Sequence, residues 1–322
     1  MRSLVGDAPV VFMFPGQSSR DPEMFSRLAA HAPDETRLVL GVASELVGRD
    51  LAAHYQPSNG AGMFATNLDV QLAVFLANHA HLLAAMRSGL DAHLSLGLSL
   101  GEFNHLVHIG ALDFADAIRL VDARGRAYDE GPPGAMASVF PLDLEEVEAV
   151  VERVRARGLV LECANLNSPA QTVISGDPRA IELAAELFEE EHGIDVVVIE
   201  QRIAMHSSLF APVGDSLAPI FASAPFRRPS RPYLPNVLGT FEPEPSAANI
   251  ATHLTAHVSS PVRFRHAIET IVELAPNATF VEVGPRSVLF NLLSRKWLQN
   301  RRLRTDVPGG ARAAGAELTV TA

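Results

Sequence analysis

Leu94 to Phe103, LSLGLSLGEF, is the stretch that decides the fold of this chain. Its first half is a short apolar run of strand character. Its second half reads Gly97-Leu98-Ser99-Leu100-Gly101 and leads into a helical pattern. A strand that ends on a glycine-flanked serine and turns at once into a helix is a nucleophile elbow. Side chains at the flanking positions would clash with the bent backbone, and the helix N-terminus points free N–H groups at the place where an oxyanion would form. On this reading Ser99 is a nucleophile and the Leu100 amide an oxyanion donor. A glycine-rich turn without chemistry can carry the same pattern, so the serine needs a base from elsewhere in the chain.

Upstream, Val10 to Phe14 is a buried strand that stops at Pro15-Gly16, and residues 22–56 have amphipathic helical spacing. DVQLAVFLANHAHLLAAM, from Asp69 to Met86, is a continuous apolar helix, too polar at Asn78, His79 and His81 for a membrane span. Between Gly134 and Ile203 the pattern changes to β-α-β-β-α-β. AMASVF, LVLECANL, QTVISG and DVVVIEQRI are the strands, and LEEVEAVVERVRARG and DPRAIELAAELFEEE the helices, the second with Asp177 as N-cap. Beyond His206, PYLPNVLG reads as strand and turn, PVRFRHAIETIVELA as helix, TFVEVGP as strand and VLFNLLSRKW as helix. The tail of small residues from Pro308 to Ala322 predicts no ordered structure. The expected architecture is α/β: a large α/β-hydrolase-like domain, residues 1–133 and 204–322, interrupted by a small ferredoxin-like (βαββαβ) domain, residues 134–203.

Composition narrows the function. The chain has 322 residues, of which 48% are apolar and 20% charged, enough for a sizeable core. A net charge of −11 argues against nucleic-acid binding. Cys163 is the only cysteine, which excludes a disulfide framework and a thiolate metal site. The N-terminus reads as a first strand rather than a signal peptide, so a cytoplasmic protein with no membrane partner is expected. Lys296 is the only lysine, and arginine gathers between Arg286 and Arg304, a local basic patch on an acidic protein. Of the 12 histidines, His79, His81, His105 and His108 fall on predicted helices as packed or surface residues. His206 follows the last strand of the insert, at the junction between domains, and is the candidate base.

An ordered set of segments resembles the malonyl-CoA:acyl carrier protein transacylases and the acyltransferase domains of polyketide synthases. FPGQSS (14–19), GLSLGEF (97–103) and the following IGALDFADAIRLVDARG resemble the family's loop, elbow and helix. NLNSPAQTVISG (165–176), AMHSSLF (204–210), VSSPVRF (258–264) and FVEVGP (280–285) resemble its later segments. The resemblance runs from about Val10 to Lys296. It implies that Ser99 carries the acyl group as an ester and that His206 is the base and then the acid. It also implies that Gln17 and the Leu100 amide line the oxyanion hole. Arg124, 25 residues after Ser99, would bind an acyl carboxylate, which a guanidinium fork suits. Gln71, Met205, Asn165 and Asn167 would line the acyl pocket. His206 would be supported from the position of His257.

The partners implied are acyl-CoA and an acyl carrier protein, with no cofactor and no metal, and a monomer is the working expectation. Arg153, Arg155 and Arg157 on the insert helix, and Arg295, Lys296, Arg301 and Arg302 near the end, are candidates for carrier docking. Four positions depart from the family: Leu98 stands where histidine is usual, Arg20 where glutamine closes the loop, and His257 where glutamine or asparagine is usual. The segment before the base is Ile203-Ala204-Met205-His206, and Met205 at a position where bulk blocks α-substituents leans toward malonyl. Transfer of an unusual or preassembled acyl group between two carrier proteins, and editing hydrolysis, are the alternatives.

Overall fold

A computed structural model describes residues 8–307 and 309–319. Its strands are β1 (Val10–Phe14), β2 (Leu94–Gly97), β3 (Ala135–Val139), β4 (Leu161–Ser168), β5 (Gln171–Gly176), β6 (Val197–Glu200), β7 (Thr279–Glu282) and β8 (Arg302–Arg304). Among the helices, those that position the site or correct the sequence reading are α1 (Asn67–Arg87), α2 (Gly101–His108), α3 (Phe114–Asp129), α4 (Leu144–Arg155), α5 (Pro178–His192), α6 (Ala247–Ser259) and α7 (Gly310–Thr319).

The strands form two four-stranded sheets. The first, in the order β2-β1-β7-β8, is entirely parallel. Its central strands are apolar on both faces, as strands covered on both sides must be: Val11, Phe12, Met13 and Phe14 are all fully buried. By length and composition α1 could cross a membrane, but 83% of that stretch is buried inside the protein. It is a core helix, and its Asn78 is used internally, donating to the Pro15 carbonyl at 2.9 Å.

The second sheet, in the order β4-β5-β3-β6, is antiparallel. Side chains alternate across a strand. Ala135, Ala137 and Val139 of β3 meet Val147 and Val151 of α4 and Ile181 and Phe188 of α5, whereas Met136 and Ser138 face a cleft on the opposite side. Asp143 and Glu146 form a complete capping box at the start of α4. The chain leaves for this sheet and returns from it along neighbouring segments, with Pro133 bridged to Ile203 and the Gly134 amide donating to Arg202 at 3.0 Å.

Several sequence expectations are corrected. Asp177 is the N-cap residue of α5 as expected, but its carboxylate makes no capping bond; it accepts instead from the Val160 amide at 2.8 Å. PYLPNVLG forms no strand, because its backbone groups are taken by α2 and by the turn itself. The helix begun by VLFNLLSRKW ends at Leu292, and the arginine run beyond it supplies β8. The tail is not unordered between Gly310 and Thr319. Alanines are strong helix formers, and Ala314 and Leu318 of α7 join Phe14, Leu82 and Leu90 in one apolar cluster.

Burial holds six histidines neutral: His79, His81, His105 and His206 are pushed down to about 3, His108 to about 4, and His257 well below its ordinary value. Burial pushes two carboxyls the other way, Glu102 to about 7 and Glu282 to about 8. Between pH 6.5 and about 4 the unfolded chain binds protons on those histidines that the folded chain refuses, and the two glutamates offset only part of this. Stability therefore rises with pH across that window. The melting temperature is expected to fall steadily from pH 6.5 to pH 4.5 in calorimetry; a flat profile would contradict the neutral buried histidines.

Candidate active site

Ser99 sits between β2 and α2 with φ +50°, and His206 has φ +61°; among the described residues they are the only non-glycine positions with positive φ. Left-handed backbone is costly for a residue with a side chain and persists only where its surroundings impose it. For Ser99 the surroundings are unusually tight. A Cβ on Gly97 would lie 2.0 Å from the Gly101 carbonyl carbon, and one on Gly101 would lie 2.0 Å from the Phe14 oxygen. Both glycines of the elbow are therefore steric requirements of β1, β2 and α2 meeting at one point.

The serine and histidine meet. Ser99 Oγ lies 2.8 Å from His206 Nε2, and His206 Nδ1 lies 2.8 Å from the His257 carbonyl oxygen. With Nδ1–H donating to that carbonyl, Nε2 is free to accept from the serine. The His206 amide donates to Val258 O at 3.1 Å, so the last turn of α6 holds both ends of the residue. Burial, and then the charge of Arg124, push His206 down to about 3, so it is a neutral acceptor.

The His257 side chain is also in place. Its ring lies 4.9 Å from that of His206 at 23°, and its Nδ1 is 3.3 Å from Glu102 Oε2. Tyr233 donates to the other Glu102 oxygen at 2.8 Å. Burial lowers His257 and raises Glu102 to about 7, so it disfavours the charged form of both.

Asn236 was not legible as a site residue. Its Oδ1 accepts from the Ser99 amide at 2.8 Å, and its Nδ2 donates to Gly97 O at 2.9 Å. One side-chain amide thus clamps the elbow on both sides of the bend. The segment PNVLG offers no signal for this, because the contact spans 137 residues of sequence. With the Ser99 amide taken, the expected oxyanion donors are the amide of Leu100, the next residue, and that of Gln17, which lines the same cleft as Ser99. Among the described residues neither donates a hydrogen bond. Gln17 is held over the site by its own side chain, Nε2 to Met205 Sδ at 3.5 Å.

Ser99, His206, Gln17, Leu98, Met205, Asn165, Asn167 and Lys296 line one cleft of 1620 Å³. Arg124 and Gln71 are not part of its lining; both are buried. Arg124 on α3 is 1% exposed, donates to Gln71 Oε1 at 2.6 Å and stacks over the Tyr128 ring at 4.0 Å. Its Nη2 and the Gln71 Nε2 are buried donors without partners, and among the described residues no carboxylate pairs with it. A buried guanidinium without a salt-bridge partner is costly, and the charge of the nearby Glu102 carboxyl offsets only part of that cost.

Of the candidates for docking, Arg153 is ion-paired with Glu191 and Arg155 with Glu152, both on the insert helices away from the cleft. Arg302 is committed to Phe290 and Leu293 carbonyls within its own neighbourhood. Arg295 is exposed beside Lys296, and Arg301 is half-buried.

The acyl transferase domain family matches residues 11–310. A malonyl CoA-acyl carrier protein transacylase of Bacillus subtilis is 32% identical over 299 residues, 92% of each chain. The solved structure of the transacylase of that name from Clostridium perfringens superposes with a TM-score of 0.87 at 28% identity, covering 98% of both chains. A type II polyketide-synthase acyl-carrier protein in complex with its malonyl-transacylase superposes through the transacylase with a TM-score of 0.85 at 30% identity, covering 97% of this chain and 100% of that one.

Asn236→Ala leaves the Ser99 N–H and Gly97 C=O buried without partners. Each costs about 1–3 kcal/mol, so the melting temperature should drop and acylation of Ser99 should slow by at least about tenfold. Thermal unfolding with stopped-flow acylation checks both, and an unchanged acylation rate would show that the clamp does not position the nucleophile.

Proposed function

Since the chain belongs to the acyl transferase domain family and is an acyltransferase, we propose that it moves a malonyl-type acyl group from coenzyme A to the phosphopantetheine thiol of an acyl carrier protein, in polyketide or fatty-acid biosynthesis. The observation that carries this reading is the contact between Ser99 Oγ and a neutral His206 Nε2, with a buried arginine, Arg124, whose charge acts on that histidine. In the first half-reaction Ser99 Oγ attacks the thioester carbonyl and its proton passes to His206 Nε2. The carbonyl oxygen becomes an oxyanion between the amides of Leu100 and Gln17. Collapse expels the thiolate, which takes the proton from His206 and leaves as coenzyme A. The second half-reaction runs the same steps in reverse with the carrier thiol. The His257 carbonyl stabilises the imidazolium formed in between through Nδ1–H.

Arg124 would take the free carboxylate of the acyl group, with the Gln71 amide as a second donor. Its occupation also bears on the base. Arg124 is one of the causes that depress His206, so a carboxylate that neutralises it raises the proton affinity of His206 when substrate is bound. Neither step calls for a metal or cofactor, because proton transfer and charge stabilisation are both supplied by the groups named. Met205, touching Gln17 over the nucleophile, leaves little room for an α-substituent. Asn165 and Asn167 would meet the pantetheine arm from the β4 wall. Carrier docking through Lys296 fits its place in the cleft lining, with Arg295 adjacent to it in sequence; docking through Arg153 is weakened by its pairing with Glu191, and Arg301 lies outside that lining.

The reading extends to architecture and place. We take residues 134–203 as a ferredoxin-like insert, supported by the strand order β4-β5-β3-β6 and the adjacent exit and return at Pro133 and Ile203, within a hydrolase-like domain of residues 1–133 and 204–322. A monomer acting in the cytoplasm completes it.

Malonyl-CoA should add one malonyl mass to the protein and none to Ser99→Ala, by intact mass spectrometry; absence of labelling from every carboxyacyl-CoA would defeat the proposal. Arg124→Ala removes one partner of a buried charged contact, worth at least about 2 kcal/mol, so malonyl loading should fall by about 30-fold or more while acetyl loading falls far less. In pH–rate profiles the acid limb of kcat/KM, which reports the free enzyme, should lie well below 6.5, and that of kcat should lie higher. Coincident limbs would refute the coupling between Arg124 and His206.

A further inference from the structure

Eight large apolar side chains are exposed among the described residues, and four of them occur together: Phe140 at 57%, Val197 at 62%, Val198 at 45% and Ile199 at 43%. Soluble proteins scatter such residues singly, and a contiguous patch marks a binding surface. These four share one edge of the insert. β6 pairs with β3 on one side only, with Val197 opposite Ser138 and Val198 opposite Ala137, and Phe140 follows directly after β3. β6 is therefore an edge strand with apolar side chains and an open backbone, a combination that folded proteins normally cover or charge.

The patch is continuous with the cleft. Phe140, Val198 and Ile199 line it from the β3–β6 segment, and Arg20, Arg286 and Lys296 line it from the rest of the chain. Those three cations are exposed, and none pairs with a carboxylate among the described residues. Arg286 reaches only the Arg20 carbonyl, at 3.5 Å, and Arg20 only the Gln17 carbonyl, at 3.4 Å. On a chain of net charge −11, three unpaired cations lining the same cleft as an apolar strip select a partner with an acidic surface and an apolar spot.

The geometry points to the β6 edge with Phe140 as the apolar half of the docking surface for an acidic acyl carrier protein, whose pantetheine arm then reaches Ser99 through that cleft. This rests on the acyl-transfer reading above and adds where the acceptor sits. Coenzyme A carries no protein surface to cover the strip, so the strip serves the carrier half-reaction alone.

The test compares acceptors on one loaded enzyme. Parent, Val197→Asp, Phe140→Ser and the double variant are loaded from malonyl-CoA, and loading is read by intact mass. Transfer is then measured to free pantetheine and to a panel of holo acyl carrier proteins of fatty-acid and polyketide type, using the best acceptor. All the changes are at exposed positions, and melting curves verify folding. The double variant should raise KM for the carrier by about tenfold or more and leave pantetheine transfer within twofold. Lys296→Glu should weaken the same acceptor, more so at low salt. Failure of the parent to load would defeat the acyl-transfer reading itself. If loading succeeds, the docking surface is overturned by any of three results: carrier transfer unchanged in the double variant, carrier and pantetheine transfer falling together, or no carrier accepting malonyl from the loaded parent. A parent that is dimeric in solution and made monomeric by Val197→Asp would assign the strip to self-association instead.

Discussion

Everything at this site depends on two residues held in left-handed backbone conformation and brought within 2.8 Å of each other. Neither would rest there in a free chain. Ser99 is forced into the bend by β1, β2 and α2, which meet so closely that only glycine fits at 97 and 101. Its amide is then removed from other uses by Asn236. His206 is fixed by two carbonyls at the end of α6, from His257 and Val258. Such strain is stable only because the surrounding structure over-determines it, and the result is an array whose parts need no rearrangement before reaction.

The second constraint is electrostatic. Arg124, Glu102, His257 and His206 are all buried, yet only the arginine must carry charge. Burial drives Glu102 upward and both histidines downward, so it disfavours charge on every member of the cluster but the arginine, which Glu102 in turn supports. On the proposed function, an acyl carboxylate would complete this charge balance, and selection for such an acyl group would then be built into the resting protein. His257 departs from the glutamine or asparagine usual there, yet the carbonyl function is kept because it belongs to the backbone. The new side chain finds Glu102 and stacks on the base.

Much of this was legible in the sequence, for identifiable reasons. The elbow announces itself because steric exclusion permits only glycine around the serine. The insert announces itself through two clean periodicities, 2 and 3.6. VSSPVRF is legible as a motif but not in its function. In the structure it supplies Val258 to His206, Val262 to β4 and the Arg263 amide to the Asn236 carbonyl. Asn236 itself left no mark, since a side chain that bonds backbone far away imposes no local pattern. The tail was misread because small residues suit a helix that lies close against α1 as well as they suit a flexible chain. β8 was hidden inside an arginine run, because three residues at a sheet edge are too short to show alternation.

The side-by-side passage of the chain at Pro133 and Ile203 has a mechanical consequence. Beyond it, β4 is joined to the segment after α6 through Val262, which bonds to Ala164 and Leu166, so the small sheet is anchored at two places rather than hung from one. Met205 and His206 lie only two and three residues past Ile203, so the imidazole hangs from the first of those anchors. One wall of the cleft and the base thus share a mooring, and a substitution that loosened the crossing would disturb entry and proton transfer together.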